Sequence, residues 1–326
     1  MLNKIRILPL AAESLGTRSM CTFIETKDMK ILLDPGVSLA PSRFGLPPHP
    51  KEYAALLESR RRIEEKASEA DVITISHYHF DHHTPSFIDL ACNWSSPEIA
   101  QKIYENKLVL LKNPKVNVNF SQRRRGWVFS KTGGKHAKKL EAADGKVFEF
   151  GDTLLRFSEP VFHGSEDSFL GWVLTTTIEL EDEKITFAPD VQGPMYDATL
   201  KMIIAENPQV LIIGGPPLYL AGFRVAETQV QEGLERLKQL ASKVPLIILE
   251  HHLLRTEDWR EKSQTIFKAA GESGHKVMTA AEFLGKEDNL LEARRKQLFK
   301  AEPPGKGFMK WTKISMPARM LVKPPL

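Results

Sequence analysis

Short apolar runs bounded by turn residues recur along this chain, and longer stretches with apolar residues three and four apart lie between some of them. Residues 5–10, 20–25 and 29–33 read as strands, the first two joined by a polar loop over 11–19. Asp34-Pro35-Gly36 stops the third, because proline cannot continue a ladder and glycine permits a turn. From 51 to 70 the spacing of Tyr53, Leu56, Leu57 and Ile63 predicts an amphipathic helix, with His49 just before it at the surface. The helix leads into Val72-Ile73-Thr74-Ile75, whose unbroken apolar or β-branched character predicts a strand covered on both faces. Further strand signals lie at 146–150, 154–157, 173–180, 184–188, 210–213 and 246–249, with helices expected over 197–207, 226–242, 259–272 and 280–291. Residues 84–140 break the alternation. A short helix at 97–104 and a strand at 108–111 are expected there, but 113–135 reads as loop, so the stretch reads as an insertion. After 302, proline and lysine without a period predict an extended tail over the surface.

With 326 residues and 42% hydrophobic content, the chain can build one large core. No apolar run approaches the length of a membrane span, and the opening Met1-Leu2-Asn3-Lys4-Ile5-Arg6 lacks a signal-peptide pattern, so the expected location is the cytoplasm. Two cysteines, Cys21 and Cys92, are too few for a disulfide framework and read as small buried hydrophobes. The net charge of +4 hides a local excess. Residues 101–140 carry 11 Lys and Arg against the single acid Glu105, which leaves 34 bases against 40 acids elsewhere. A local basic patch implies an anionic substrate or a nucleic-acid partner.

The chemistry sits where the strand at 72–75 ends. His77, His79, Asp81 and His82 follow in the spacing His-x-His-x-Asp-His, four donors that a tight loop can turn toward one point. Imidazole and carboxylate suit borderline divalent metals, zinc by default, with manganese or iron as alternatives. His163, Asp190 and His251 also fall at or just beyond the ends of apolar runs, and ligands from several strands converge when those strands end along a common edge. All these residues must meet, which favours a single domain over 1–326. His251 and His252 compete for one role; alternation along an extended strand would let only one face the metals, and His251 is preferred. Asp34 either belongs to the turn or orients a ligand histidine. Arg123, Arg124 and Arg125, with Phe120 and Trp127 nearby, could hold a phosphate while the aromatics stack on a base, or could form only a solvated loop. Arg18 is a further candidate for lining the cleft.

The motif from His77 to His82, with Asp34 before it and His163, Asp190 and His251 in order after it, resembles the signature of the metallo-β-lactamase superfamily, and most closely an archaeal branch known as predicted metal-dependent hydrolases. The resemblance implies an α/β fold, a four-layer αββα sandwich of two mixed β-sheets flanked by helices. It implies two metals, one on His77, His79 and His163 and the other on Asp81, His82 and His251, bridged by Asp190. By the same resemblance, a hydroxide shared between two cations attacks the substrate, and Asp81 or Asp190 handles the proton. His79 stands where the oxygen-reducing di-iron branch usually has Glu, which favours a hydrolase. Phosphate ester hydrolysis leads; lactone or thioester hydrolysis would use the same metals, and a non-catalytic nucleic-acid-binding protein is the other class of reading. Substrate and oligomeric state stay open.

Overall fold

Alternation of side chains along the strands divides the apolar residues among three cores, and that division sets the architecture. In the computed structural model, which describes residues 2–166 and 168–326 and so leaves Met1 of the opening segment outside, two large sheets face each other. The first contains β1 (Arg6–Pro9), β2 (Thr22–Glu25), β3 (Lys30–Leu33), β4 (Val72–Ile75), β5 (Leu108–Leu111) and β6 (Lys139–Ala142), side by side in sequence order. Its first three strands are antiparallel, and β3 to β6 run parallel. The second sheet is built from β7 (Val147–Phe150), β8 (Thr153–Phe157), β11 (Thr176–Leu180), β12 (Glu183–Ala188), β13 (Val210–Gly214), β14 (Leu246–Glu250) and β15 (Lys276–Met278). The order across it is β15-β14-β13-β12-β11-β8-β7, parallel from β12 to β15 and antiparallel elsewhere. Between β8 and β11, β9 (Val161–Phe162) and β10 (Trp172–Val173) form a small separate hairpin.

In β3, Ile31 and Leu33 point into the core between the sheets, whereas Leu32 points outward beneath the helix Pro50–Glu69. In β14, Ile248 joins the inter-sheet core while Ile247 and Leu249 pack beneath the helices Glu227–Ala241 and Gln264–Glu272. A period of two on strands buried on both faces thus produces helix, sheet, sheet and helix layers. Among the described residues, no helix is long and apolar enough to cross a membrane.

Three regions depart from the expected pattern. The stretch 84–140 is less an insertion than part of the first sheet, since β5 and β6 extend it beyond β4. Within it, residues 120–131 form a helix, Phe120–Lys131, not a loop. Its start is fixed by Asn119, whose side chain accepts from the Gln122 N–H while the Gln122 side chain accepts from the Asn119 N–H. Its buried positions are Gln122, Gly126 and Phe129, so little hydrophobic period was there to read. Gly126 is obligatory, because a Cβ there would lie 2.6 Å from Pro114 Cβ and 2.7 Å from the Tyr78 ring. The C-terminal segment is not an extended tail: it folds into the helices Lys306–Trp311 and Met316–Leu321. Phe308 and Trp311 are 2% and 6% exposed and clasp Tyr53, with ring centroids 5.9 and 5.6 Å away. His49 is buried rather than exposed, capping the helix that begins at Pro50.

Candidate metal centre

The parallel strands β3, β4, β12 and β14 deliver their C-terminal ends to one edge, and the functional side chains leave the chain there. Asp34 follows β3, His77 follows β4, Asp190 follows β12 and His251 follows β14. Three of these residues take left-handed backbone conformations, Asp34 at φ 45°, Asp190 at 51° and His251 at 69°. That strain turns each side chain back toward the cleft and is characteristic of sites the surrounding fold over-determines. Gly36 lets the loop of metal-type ligands close over the turn after β3, since a Cβ there would meet the backbone nitrogens of His82 and His83 at 2.4 Å.

Asp190 is the centre of the arrangement. Its Oδ2 lies 2.8 Å from His163 Nε2, 3.1 Å from His77 Nε2 and 3.3 Å from His82 Nε2. Its Oδ1 lies 2.9 Å from His251 Nε2 and 3.2 Å from His252 Nε2. Around it four overlapping groups have donor atoms close enough to share an ion: His77, His79, His163 and Asp190; Asp81, His82 and His251; Asp190, His251 and His252; and Asp34, His77 and His82. His163 Nε2 and Asp190 Oδ1 are buried without a hydrogen-bond partner among the described residues, although the first lies 2.8 Å from Asp190 Oδ2 and the second 2.9 Å from His251 Nε2, so these atoms crowd one small space without satisfying one another. Buried, unpartnered imidazole and carboxylate atoms in this number fit divalent cations.

The protein holds the rings by their far sides. His82 Nδ1 donates to Asp34 Oδ2 at 2.8 Å, leaving Nε2 bare toward the cleft. Ser76 donates its hydroxyl to Asp34 and accepts from His77 Nδ1 at 3.0 Å, so one carboxylate sets two histidines. His251 Nδ1 donates to Glu13 Oε2 at 3.1 Å. His252 is held in the opposite sense. Its Nδ1 accepts from Arg255 Nη1 at 2.8 Å, and because guanidinium only donates, the neutral ring carries its hydrogen on Nε2. Both rings face Asp190 because β14 ends at Glu250 and the positive φ of His251 cancels the expected alternation.

Electrostatics divides the rings: burial would lower both His82 and His251, but Asp190 and its acidic neighbours raise His82 well above its ordinary value, and Asp190 with Glu13 raises His251 to about 9. Burial, and then the neighbouring charge of His82 for His77 and of Arg255 for His252, keeps those two rings neutral; burial does the same for His79. Burial would raise the Asp190 and Asp81 carboxyls, but the histidines around them outweigh it and hold both ionised.

The sequence model of the metallo-beta-lactamase superfamily matches residues 16–83, the span that contains β2 to β4 and the histidine-rich loop. The UPF0282 protein MK0213 of Methanopyrus kandleri is 45% identical over 294 residues, covering 90% of this chain and 99% of that protein. A UPF0282 protein of Korarchaeum cryptofilum is 40% identical over 306 residues, covering 94% and 98% respectively. The chain belongs to the UPF0282 family, an archaeal branch of the metallo-beta-lactamase superfamily. Among solved structures, the metallo-beta-lactamase fold protein YhfI from Bacillus subtilis aligns with a TM-score of 0.49 at 13% identity, over 85% of this chain and 97% of that one.

This UPF0282 chain brings His77, His79, Asp81, His82, His163, Asp190, His251 and His252 together, with Asp34 against His82 and Ser76. It does not bring Arg18 or Arg123. Arg18 is turned into an ion pair with Glu292, Nε to Oε2 at 2.6 Å, because a partly buried guanidinium takes the nearest buried carboxylate. Arg123 lies exposed on the helix Phe120–Lys131, a rotation that follows from Gly126 packing on Tyr78. Glu13 escaped the sequence reading entirely. It sits in the single 3₁₀ turn Glu13–Leu15 of a loop that looks polar, yet accepts from Arg255 Nε at 2.9 Å and Nη2 at 2.7 Å as well as from His251. The only cue was Arg255, four residues beyond His251.

Proposed function

We propose that the chain is a binuclear metal-dependent hydrolase acting on an anionic ester, with phosphate esters first. The observation that supports this reading is Asp190, a single buried carboxylate whose Oδ2 lies against His77, His163 and His82 while its Oδ1 faces His251, so that it touches members of both proposed ligand groups. His77, His79 and His163 would hold one cation and Asp81, His82 and His251 the other, with zinc, manganese or iron as occupants. When bound, such a pair lowers the pKa of a shared water and polarises the oxygen of a phosphoryl or carbonyl group. Asp81 stands at the mouth, its side chain 16% exposed against 2% for Asp190, and is placed to take a proton and return it to a leaving group. His252, whose side chain is 13% exposed and whose Nε2 lies 3.2 Å from Asp190 Oδ1, would serve as a hydrogen-bond donor to a substrate oxygen. The exposure of His79, Asp81 and His252 supports a catalytic role over a purely structural one, because a structural site is closed by its ligands.

Elemental analysis of protein purified without chelator tests the reading, with an expected ratio near two metals per chain and both occupancies depressed in Asp190→Ala. A ratio near zero after metal supplementation would overturn it. Metal-dependent turnover of a panel of phosphodiesters, lactones and thioesters then separates the substrate classes.

A further inference from the structure

The loop that carries the candidate ligands has a second face. Asp81 and His82 turn toward Asp190, but Phe80 and His83 on either side of them line a separate pocket of about 360 Å³. Its far wall is the helix Phe120–Lys131, which contributes Arg124, Arg125 and Phe129, and Phe87 closes one end. The volume falls within the range of small-molecule sites.

Arg125 is the informative residue. Its guanidinium is half-buried, lies over the Phe80 ring at 4.8 Å, and makes one long hydrogen bond, Nη1 to the Tyr78 carbonyl at 3.4 Å. Among the described residues no carboxylate comes within ion-pair distance of Arg125 or of Arg124, although the Asp81 charge acts on Arg125 from farther away. Several more deeply buried arginines are compensated, Arg255 by Glu13, Arg295 by Glu52, Arg18 by Glu292, and Arg60 by the neutral Thr84 hydroxyl and Asn93 carbonyl, whereas half-buried Arg319 rests on the Trp311 ring without an ion pair among the described residues. A guanidinium withdrawn from water without such partners is costly unless an anion completes it. The rest of the lining has other chemistry. Phe80, Phe87 and Phe129 present aromatic surface, and His83 donates from Nδ1 to the His79 carbonyl at 2.9 Å, which leaves Nε2 as an acceptor.

We propose that this pocket binds a small organic phosphate that carries a flat heteroaromatic ring. The phosphate lies on Arg124 and Arg125, the ring lies against Phe80, Phe87 and Phe129, and an amino N–H borne by the ring reaches His83 Nε2. Guanidinium forks match phosphate geometry, and stacking on aromatic side chains tolerates any flat ring. As a binding site the pocket stands alone; as the seat of the substrate's non-reacting portion it rests on the hydrolase reading above.

The test is calorimetric titration of the metal-replete full chain with adenosine 5′-monophosphate, phenyl phosphate, inorganic phosphate and adenosine. In wild type the nucleotide is expected to bind more tightly than inorganic phosphate by about fivefold or more, the least that one stacked base supplies. Arg124→Gln/Arg125→Gln should weaken the nucleotide and phenyl phosphate by about tenfold or more, with adenosine affinity and metal content unchanged. Should the double variant fold poorly, Arg124→Gln alone carries the same test, since that exposed side chain makes no hydrogen bond among the described residues. Unchanged nucleotide affinity in the variants would overturn the site. Inorganic phosphate binding as tightly as the nucleotide would overturn the ring half of the proposal, and phenyl phosphate matching the nucleotide would overturn the role of His83. If nucleotide binding depends on the arginines while no ester is turned over by metal-replete wild type, the pocket stands and the hydrolase reading alone fails.

Discussion

Replacing Glu13 probes the support of the candidate metal centre without touching a ligand. Its carboxylate is 5% exposed and accepts three bonds, from His251 Nδ1 at 3.1 Å and from Arg255 Nε and Nη2 at 2.9 and 2.7 Å. Glu13→Gln keeps the shape and removes the charge, and if its carbonyl stays on Arg255 its NH₂ faces His251 Nδ1 and forces that ring to the other tautomer. Breaking a buried ion pair from one side costs roughly 3–5 kcal/mol. Arg255 would keep Tyr219 OH at 3.2 Å and Asp81 Oδ2 at 3.7 Å, so a loss near the lower bound is expected. We expect about 3 kcal/mol, read as a shift of the urea midpoint at constant m. His251 would also lose the acceptor that keeps its Nδ1 protonated and its Nε2 bare. Loss of such a partner weakens metal binding by about 10- to 100-fold, which competition with a chromogenic chelator measures. A double variant, Glu13→Leu/Arg255→Met, leaves neither charge and should recover most of the stability but none of the affinity. Wild-type stability and affinity in Glu13→Gln, or recovery of both in the double variant, would refute the reasoning.

Other consequences can be measured separately. His251→Ala should lose metal, while His252→Ala should keep its metal and lose turnover; the reverse pattern would exchange their roles. Burial favours the neutral form of Glu292, but the charge and hydrogen bonds of Arg18, with Arg255 and Arg295 beyond, hold its pKa at about 2 against an ordinary 4.5. Because the folded value is the lower one, this stabilisation is complete above 4.5 and lost as pH falls to about 2; it amounts to about 3 kcal/mol, and Arg18→Met should flatten the acid limb of a stability–pH curve. Trp311→Ala removes a side chain packed on Tyr53 and should cost about 3–5 kcal/mol, with the C-terminal segment becoming the first site of limited proteolysis; equal protease resistance would show that this segment is held by other contacts.

What the sequence discloses here depends on whether the burial partner is an apolar residue. Strands such as Val72–Ile75 and Val210–Gly214 are covered on both faces, so hydrophobicity alone marks them. The candidate ligands were legible for a related reason, since each sits where such a run ends. The helix Phe120–Lys131 was not, because two of its buried positions are Gln122 and Gly126; its capping pair, Asn119 and Gln122, was the readable signal. Phe308 and Trp311 carry a helical spacing too short to stand out among lysines. The pairing of Arg18 with Glu292 and of Glu13 with Arg255 joins positions 274 and 242 residues apart, and no local pattern encodes that choice.

The spread of the ligands along the chain bears on how the protein is made. His77 and His163 are 86 positions apart and Asp81 and His251 are 170 apart, so neither group exists on a nascent chain until its later member has left the ribosome. Until then the emerging protein offers an ion only the short segment from His77 to His82. Doubling the length of a closed loop costs only about 0.6 kcal/mol in chain entropy, so the longer span barely penalises the second group. A cation bound across either span therefore acts as a late fastener between the first-made sheet and the last-made one, and depletion of metal should slow the final docking of the two sheets more than the collapse of either.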